Sequence, residues 1–390
     1  MKIQTFIDAL RGGKADHALR ILYGDSPTAI ESQQRRYIHA VSRFAEIFPQ
    51  HEDIRIFSAP GRTEIGGNHT DHQHGCALAA AVNLDVIAVV AFHDDRMIRM
   101  ESEGHGRIEV DLNDLSVCEE EKGTSAAFET LVGTIINVKY NDCRTDEAEI
   151  AKIGQYAENV YFGKGSGLLD QTVCAYGGFV FIDFLDTDKP YVEKYSFDFE
   201  KAGYNLCITD TKGSHSDLTE DYVAVPSEMR SVARQFGKEY LREVDEFLFL
   251  RSVPELRGKC NDRAIMRAVH YFKENRRAID EAQALDNGDI EAFFEIYRRS
   301  AASSANLLQN HYSNAKPTEQ GISLGIMMSR LILGDDAAVR VHGGGFAGTI
   351  QAFVPVFKTE EYVRKMNALY GAGSCYVIRI RPVGGVEIKA

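Results

Sequence analysis

The first fifty residues alternate apolar and charged positions at helical spacing, most plainly over residues 30–48, and carry little turn chemistry. They predict two or more helices. From Ile54 the pattern changes to short apolar runs, notably LDVIAVVAF at residues 84–92, followed by a polar, hairpin-like stretch to Leu112. This is the pattern of sheet. Helical spacing returns at residues 126–140 and 147–162, and GFVFIDF at residues 178–184 reads as a strand. A strand at residues 204–209 then leads into a polar loop and long helical patterns: one through Lys238, and others at residues 264–277, 290–309 and 321–333. Strands are expected near residues 348–357 and 375–382. Helices and strands do not alternate as regular βαβ units, so the expected fold class is α+β.

A chain of 390 residues, 44% of them hydrophobic, exceeds what one core usually holds. Two domains are expected, residues 1–200 and 201–390, the second opening with the strand near Tyr204. No apolar run approaches the roughly 20 residues a bilayer span needs, and residues 1–22 mix Lys, Asp and Arg with apolar side chains. The expectation is a soluble, unexported protein with no membrane partner. Seven cysteines, at 76, 118, 143, 174, 207, 260 and 375, form no close pairs, so neither a metal knuckle nor a disulfide framework is indicated and a reducing cytoplasm fits best. The net charge of -13 repels polyanions, and the basic stretch at residues 273–277 sits beside acidic residues as on a solvated helix. Nucleic acid is therefore not an expected partner.

Three segments concentrate chemistry. Residues 58–75, SAPGRTEIGGNHTDHQHG, surround an Arg and a packed polar set with four glycines, as a binding loop would. His69, His72 and His74 with Asp71 also admit a metal site, although three ligands on one short loop lack the usual spaced geometry. A plain turn with solvated polar groups is the third reading. Residues 157–178, AENVYFGKGSGLLDQTVCAYGG, place Asp170 just after a Gly-rich turn at a helix start, where it serves either catalysis or the helix dipole. Residues 342–348, HGGGFAG, leave consecutive backbone N–H groups available to an anion.

Taken together these segments resemble a known family. SAPGRTEIGGNHTD resembles the galactokinase signature, of the form GRxNxIGEHTDY; the Gly-rich segment ending LLDQ resembles the family's GxxDQ. HGGGFAG resembles the third motif of the wider GHMP superfamily of galacto-, homoserine, mevalonate and phosphomevalonate kinases. The three occur in the family's order, and the resemblance runs along nearly the whole chain to the closing IRPVGG. It implies a two-domain GHMP-kinase-like α+β fold with the active-site cleft between the domains. The family's second motif, a GxGLSSSAA loop that wraps phosphates with backbone amides at a helix N-terminus, is matched only at its end. Here the chain reads EEEKGTSAAFETLVGTIIN from Glu119, so Ser125 fits while the preceding Gly and Ser residues are missing. Glu119, Glu120 and Glu121 stand where amides are expected, and their charge opposes a triphosphate.

The resemblance implies ATP-dependent phosphorylation of the anomeric hydroxyl of galactose or a related sugar, with Mg²⁺ as cofactor. By position, Asp170 falls on the catalytic Asp and Arg62 on the Arg that keeps it ionised and stabilises the transferring phosphoryl group. Taken alone, Arg62 also reads as a surface ion pair. Ser125 and Glu158 match the metal-holding hydroxyl and acid, although a solvated helix face also explains Glu158. Asn68, His69, Asp71 and Tyr222 match the sugar-binding set, with Asn68 where most members carry Glu. Gly123, Thr124, Ser125, Gly343, Gly344 and Gly345 are the expected nucleotide contacts. A monomer is expected. The alternative function is a weak or silent relative that binds sugar as a sensor, or a deletion variant.

Overall fold

The computed structural model describes residues 1–116, 125–163, 166–213 and 218–389. By contact, the chain divides into two compact units, each discontinuous in sequence: residues 1–60, 85–175 and 385–390, and residues 61–84 and 176–384. The division expected at residue 200 falls inside the second unit.

The first unit opens with helices α1 (Ile3–Arg11), α2 (Asp16–Tyr23) and α3 (Pro27–Ile47), which bury one face each through Phe6 and Leu10, Leu19 and Leu22, and Ile30 and Val41. Strands β1 (Arg55–Gly66) and β2 (Cys76–Val90) follow, and both run on from one unit into the other. The polar stretch to Leu112 is a hairpin, β3 (Met97–Ser102) on β4 (Gly106–Asp111), turning at Ser102 opposite Gly106. Helices α4 (Ala126–Tyr140), α5 (Glu147–Tyr156) and α6 (Leu169–Tyr176) come next, with a π-helical turn Ala157–Tyr161 after α5. Leu131 of α4 packs with Phe57 and Ala59 of β1, beside Val86, Ala88 and Val90 of β2. The last strand, β11 (Val386–Ile388), pairs antiparallel with the start of β1, and Arg55 clamps Glu387 with two hydrogen bonds of 2.5 Å.

One carboxylate fastens the N-terminal helices to the strands. The Asp85 side chain is fully buried; Oδ1 accepts from Arg36 at 2.6 Å, while Oδ2 accepts from the Tyr23 hydroxyl at 2.6 Å and from the Ser58 hydroxyl. Arg36 also donates to the Asp85 carbonyl at 2.9 Å. A buried carboxylate of this kind is stable only with all its donors in place.

In the second unit β2 pairs antiparallel with β5 (Phe179–Asp183), and β5 with β6 (Tyr191–Tyr195). A four-stranded antiparallel sheet, in the order β10-β7-β9-β8, comprises β7 (Tyr204–Asp210), β8 (Ala338–His342), β9 (Thr349–Pro355) and β10 (Cys375–Ile378). Side chains alternate across a strand, and β9 uses both faces. Ile350, Ala352 and Val354 pack with Ile322 and Ile326 of α11 (Gly321–Leu333) and Tyr362 and Met366 of α12 (Thr359–Tyr370). Phe353, on the other face, packs with Phe293, Phe294 and Tyr297 of α10 (Ile290–Ser303) and with Phe199. A third cluster joins α7 (Thr219–Arg234), α8 (Glu246–Leu256) and α9 (Asp262–Asp286) through Met229, Phe249 and Tyr271.

Two long helical readings end early. The pattern at residues 290–309 is α10 followed by a π-helical turn, Ser304–Leu308, closed by Gln309 in the left-handed region (φ 60°). The pattern at residues 147–162 breaks likewise into α5 and its π turn. A π turn keeps helical apolar spacing locally while inserting one residue, so periodicity alone does not reveal it. Among the described residues no helix is long and apolar enough to cross a membrane.

Replacing Asp85 by Ala strands Arg36 and removes the acceptor of two buried hydroxyls. A loss of about 3 kcal/mol in unfolding free energy is expected, read as a lower midpoint in urea denaturation.

Candidate active site

The loop after β1 is closed by its own polar groups. Gly67 lies at φ 84°, and a side chain there would come within 2.5 Å of the Cys76 carbonyl. Thr70, buried, donates its hydroxyl to the carbonyls of Gly67 at 2.8 Å and Cys76 at 2.6 Å. A short 3-10 turn follows, Asp71–Gln73, leaving Asp71 partly exposed. His74 stacks on Tyr240 with ring centroids 3.8 Å apart. The His69 and His72 ring centroids lie 5.7 Å apart while His74 turns away, and among the described residues no cluster of three or more His, Cys, Asp or Glu side chains is arranged to hold a metal ion.

The triple-glycine turn after β8 is pinned by donors from this loop and from α7. Asn68 Nδ2 donates to the Gly343 carbonyl at 2.8 Å, His69 Nε2 to that of Gly344 at 2.9 Å, and the Tyr222 hydroxyl to that of Gly345 at 2.9 Å. A carbonyl only accepts, so Nε2 of His69 carries the proton. Burial lowers His69 to about 4, which keeps the ring neutral at pH 7. Gly343 and Gly345 lie at φ 70° and 81°, and Phe346 at 60°, with Gly344 outside that region. Such alternation turns successive N–H groups to one side. Among the described residues the N–H groups of Gly343, Gly344 and Gly345 make no hydrogen bond. Arg62 is exposed and lies close enough to His342, the residue before the turn, to add to the burial that depresses its ring to about 3.

Asn68 is fully buried, and its amide is saturated. Besides Gly343 it donates to Glu64 Oε1 at 2.9 Å, and its oxygen accepts from Asn310 Nδ2 at 2.9 Å. The neutral ring of His270 donates to the Asn68 carbonyl at 2.9 Å and accepts from Ser303. Beneath lies a charge network: Arg340 donates to Glu64 at 2.7 Å and to the Ile65 carbonyl at 2.7 Å, and Arg277 to Glu274 at 2.7 Å. Burial alone would raise Glu274, but the charges of Arg277 and Arg340, with the Ser300 hydroxyl donating to it, outweigh burial and hold the carboxyl at about 2. Burial pushes Glu64 up to about 7 against the pull of Arg340. Glu281 is buried, with no partner for either carboxyl oxygen among the described residues, and burial together with Glu274 raises it well above the usual range. Gly66 makes room for it, since a side chain there would collide with the Glu281 carboxyl. Two guanidinium groups, Arg277 and Arg340, face three carboxyls, and burial favours the protonated form of Glu281 and, less strongly, of Glu64.

In the first unit Ser125 caps α4, its Oγ accepting the Phe128 N–H at 3.4 Å. Gly123 and Thr124, with Glu119, Glu120 and Glu121, lie outside the described residues. Glu158 sits buried in the π turn after α5, and Asp170 in the first turn of α6. Gln171 donates to Glu158 Oε2 at 3.0 Å and to Glu129 Oε2 at 3.3 Å, drawing two carboxylates to one amide. Sequence reasoning missed Glu129, Gln171, Glu64, Asn310 and Arg340. Gln171 was within reach, being the last residue of the LLDQ segment; the others stand alone in helical or strand patterns.

Comparison with known proteins places this geometry. Residues 42–92, which carry Arg62, Asn68, His69 and Asp71, match the galactokinase galactose-binding signature, and residues 122–178, which carry Ser125, Glu158 and Asp170, match the GHMP kinases N terminal domain. Galactokinase of Actinobacillus pleuropneumoniae serotype 5b is 26% identical over 368 residues, covering 83% of this chain and 91% of the relative. That of Enterococcus faecalis is 27% identical over 381 residues, covering 85% and 93%. Among solved structures, Lactococcus lactis galactokinase complexed with galactose superposes with a TM-score of 0.73 at 21% identity, covering 88% of this chain and 98% of that one. Methanococcus jannaschii mevalonate kinase gives 0.53 at 12% identity, covering 83% and 98%. The chain carries the sequence signatures of a GHMP kinase. Within that superfamily it is similar over most of its length to galactokinases.

The buried acid carries a pH dependence. Above about pH 4.5 the unfolded chain ionises Glu281 while the folded chain keeps it protonated, so the folded state binds more protons and stability falls as pH rises through that window. Glu281→Gln, which has no proton to lose, is expected to flatten the decline between about pH 5 and 8, read from denaturation midpoints at several pH values. An unchanged slope would place the titrating group elsewhere.

Proposed function

We propose that the chain transfers the γ-phosphoryl group of ATP to the anomeric hydroxyl of galactose or a close relative, giving the sugar 1-phosphate. The observation that carries this reading is the triple-glycine turn: its three carbonyls are held by Asn68, His69 and Tyr222, leaving the N–H side for phosphate oxygens. Backbone amides fixed in advance stabilise charge without reorganising during the reaction. Asp170 aligns or deprotonates the sugar hydroxyl, and Arg62 stabilises charge on the transferring group. Asp71, partly exposed on the motif loop, is the carboxylate available to sugar hydroxyls. His69 and Tyr222 each donate to the triple-glycine turn, and the fully buried Asn68 acts by holding that turn.

The first unit's donor set suits a hard cation, because Glu158 and Glu129 offer carboxylate oxygens around one amide and Ser125 offers a hydroxyl. Ser125 and Glu158 would hold Mg²⁺, which when bound neutralises charge on the ATP phosphates. None of the six described cysteines is in a disulfide, which supports a cytoplasmic setting, and a monomer is the proposed state.

Calorimetric titration with ATP and Mg²⁺, with and without galactose, tests the reading together with a coupled kinase assay. Asp170→Asn is expected to lower turnover by about 10³-fold or more, since general-base positioning contributes on that order. Sugar affinity should stay within about tenfold, because the change removes charge and keeps shape. Full turnover in the variant would remove Asp170 from its role; sugar binding with no turnover in the parent chain would favour the sensor reading.

A further inference from the structure

We propose that Asn310 is a positioning residue that sets the triple-glycine turn for phosphate binding. This rests on the reading of the turn as the phosphate-side element. Asn310 lies just past the π turn Ser304–Leu308 and the left-handed Gln309, so the end of α10 is re-aimed to bring it against the turn. It makes three contacts there. Nδ2 donates to Asn68 Oδ1 at 2.9 Å and to the Gly344 carbonyl at 3.1 Å, and the main-chain carbonyl accepts the Phe346 N–H at 2.5 Å. Gly345 passes so close that a side chain there would collide with the Asn310 carbonyl.

The orientation of the amide follows from its neighbours. Both side-chain partners are acceptors, so the reversed amide would set oxygen against oxygen twice. In the orientation that satisfies them, Oδ1 of Asn310 is buried and has no partner among the described residues. A side chain selected only for packing would not leave a buried acceptor unmet. What the position keeps is the double donation, which joins Asn68 to the middle carbonyl of the turn. Asn68 in turn holds the first carbonyl, so one amide couples two of the three pinned peptides. Asn310 acts through them on the N–H groups of the opposite side.

The test compares Asn310→Ala and Asn310→Asp with the parent chain, using ATP and sodium tripolyphosphate as separate titrants in calorimetry and galactose as the control ligand. Asn310→Ala is expected to weaken ATP and tripolyphosphate by about tenfold or more, the loss of one or two hydrogen bonds' worth of organisation. Galactose affinity should stay within about threefold and kcat should change less than KM for ATP. Asn310→Asp keeps the volume but cannot donate while ionised, so it should bind tripolyphosphate as weakly at neutral pH and recover as pH falls and the introduced carboxyl gains a proton. Parent-like phosphate affinity in both variants would overturn the proposal, as would equal weakening of ATP and galactose, or a pH-independent defect in Asn310→Asp. If the parent phosphorylates no hexose yet binds tripolyphosphate and loses it on substitution, the kinase reading fails and the positioning role stands.

Discussion

Three consecutive peptide carbonyls, those of Gly343, Gly344 and Gly345, each end on a side chain from a distant part of the second unit. The rest of the site is arranged around that constraint. A glycine run has no side chains to fix it and loses more conformational freedom on folding than any other sequence. Left to itself the turn would sample many shapes. Each neutral hydrogen bond stabilises by about 1 kcal/mol, and an unmet buried acceptor costs about 1–3 kcal/mol, so three pinned carbonyls are sufficient to select one conformation. Asn68 cannot move without the turn moving, and it is itself held on every polar atom.

Both units use the same device. Asp85 in the first gathers a guanidinium and two hydroxyls at the join of helices and strands, and Asn68 in the second gathers two amides' worth of partners at the join of β1, α9 and the turn. In each case the apolar cores supply the bulk of the burial, while a saturated polar group specifies the register in which elements meet. The network below Asn68 adds charge to this: Arg340 and Arg277 tie Glu64 and Glu274 beneath the motif loop, with a neutral acid beside them.

Much of this was legible in the chain, and the remainder has a common cause. The motif segments, Asp170 at a helix start and the long helices stood out because each is local, carried by spacing or by clustered glycines. Strands β6, β8 and β11 and helices α8 and α12 did not, being short elements whose patterns only tertiary packing completes. Asn68 read as a sugar contact because the resemblance put it there, yet its saturation depends on Glu64, Asn310 and His270, which lie 4, 242 and 202 positions away. No window of sequence holds such a set. The π turns escaped for a related reason, since one inserted residue changes where the next side chain points without breaking the apolar rhythm.

The missing side chain at Gly66 couples the motif loop to α9. In the form GRxNxIGEHTDY the position of Gly66 belongs to Ile, that of Glu64 to Asn and that of Asn68 to Glu, so this chain exchanges the outer pair and empties the middle. The Glu281 carboxyl fills the vacated space. A side chain at 66 and the Glu281 carboxyl where it now lies would claim one space, so the two positions are coupled: any residue larger than glycine at 66 obliges the Glu281 side chain to move.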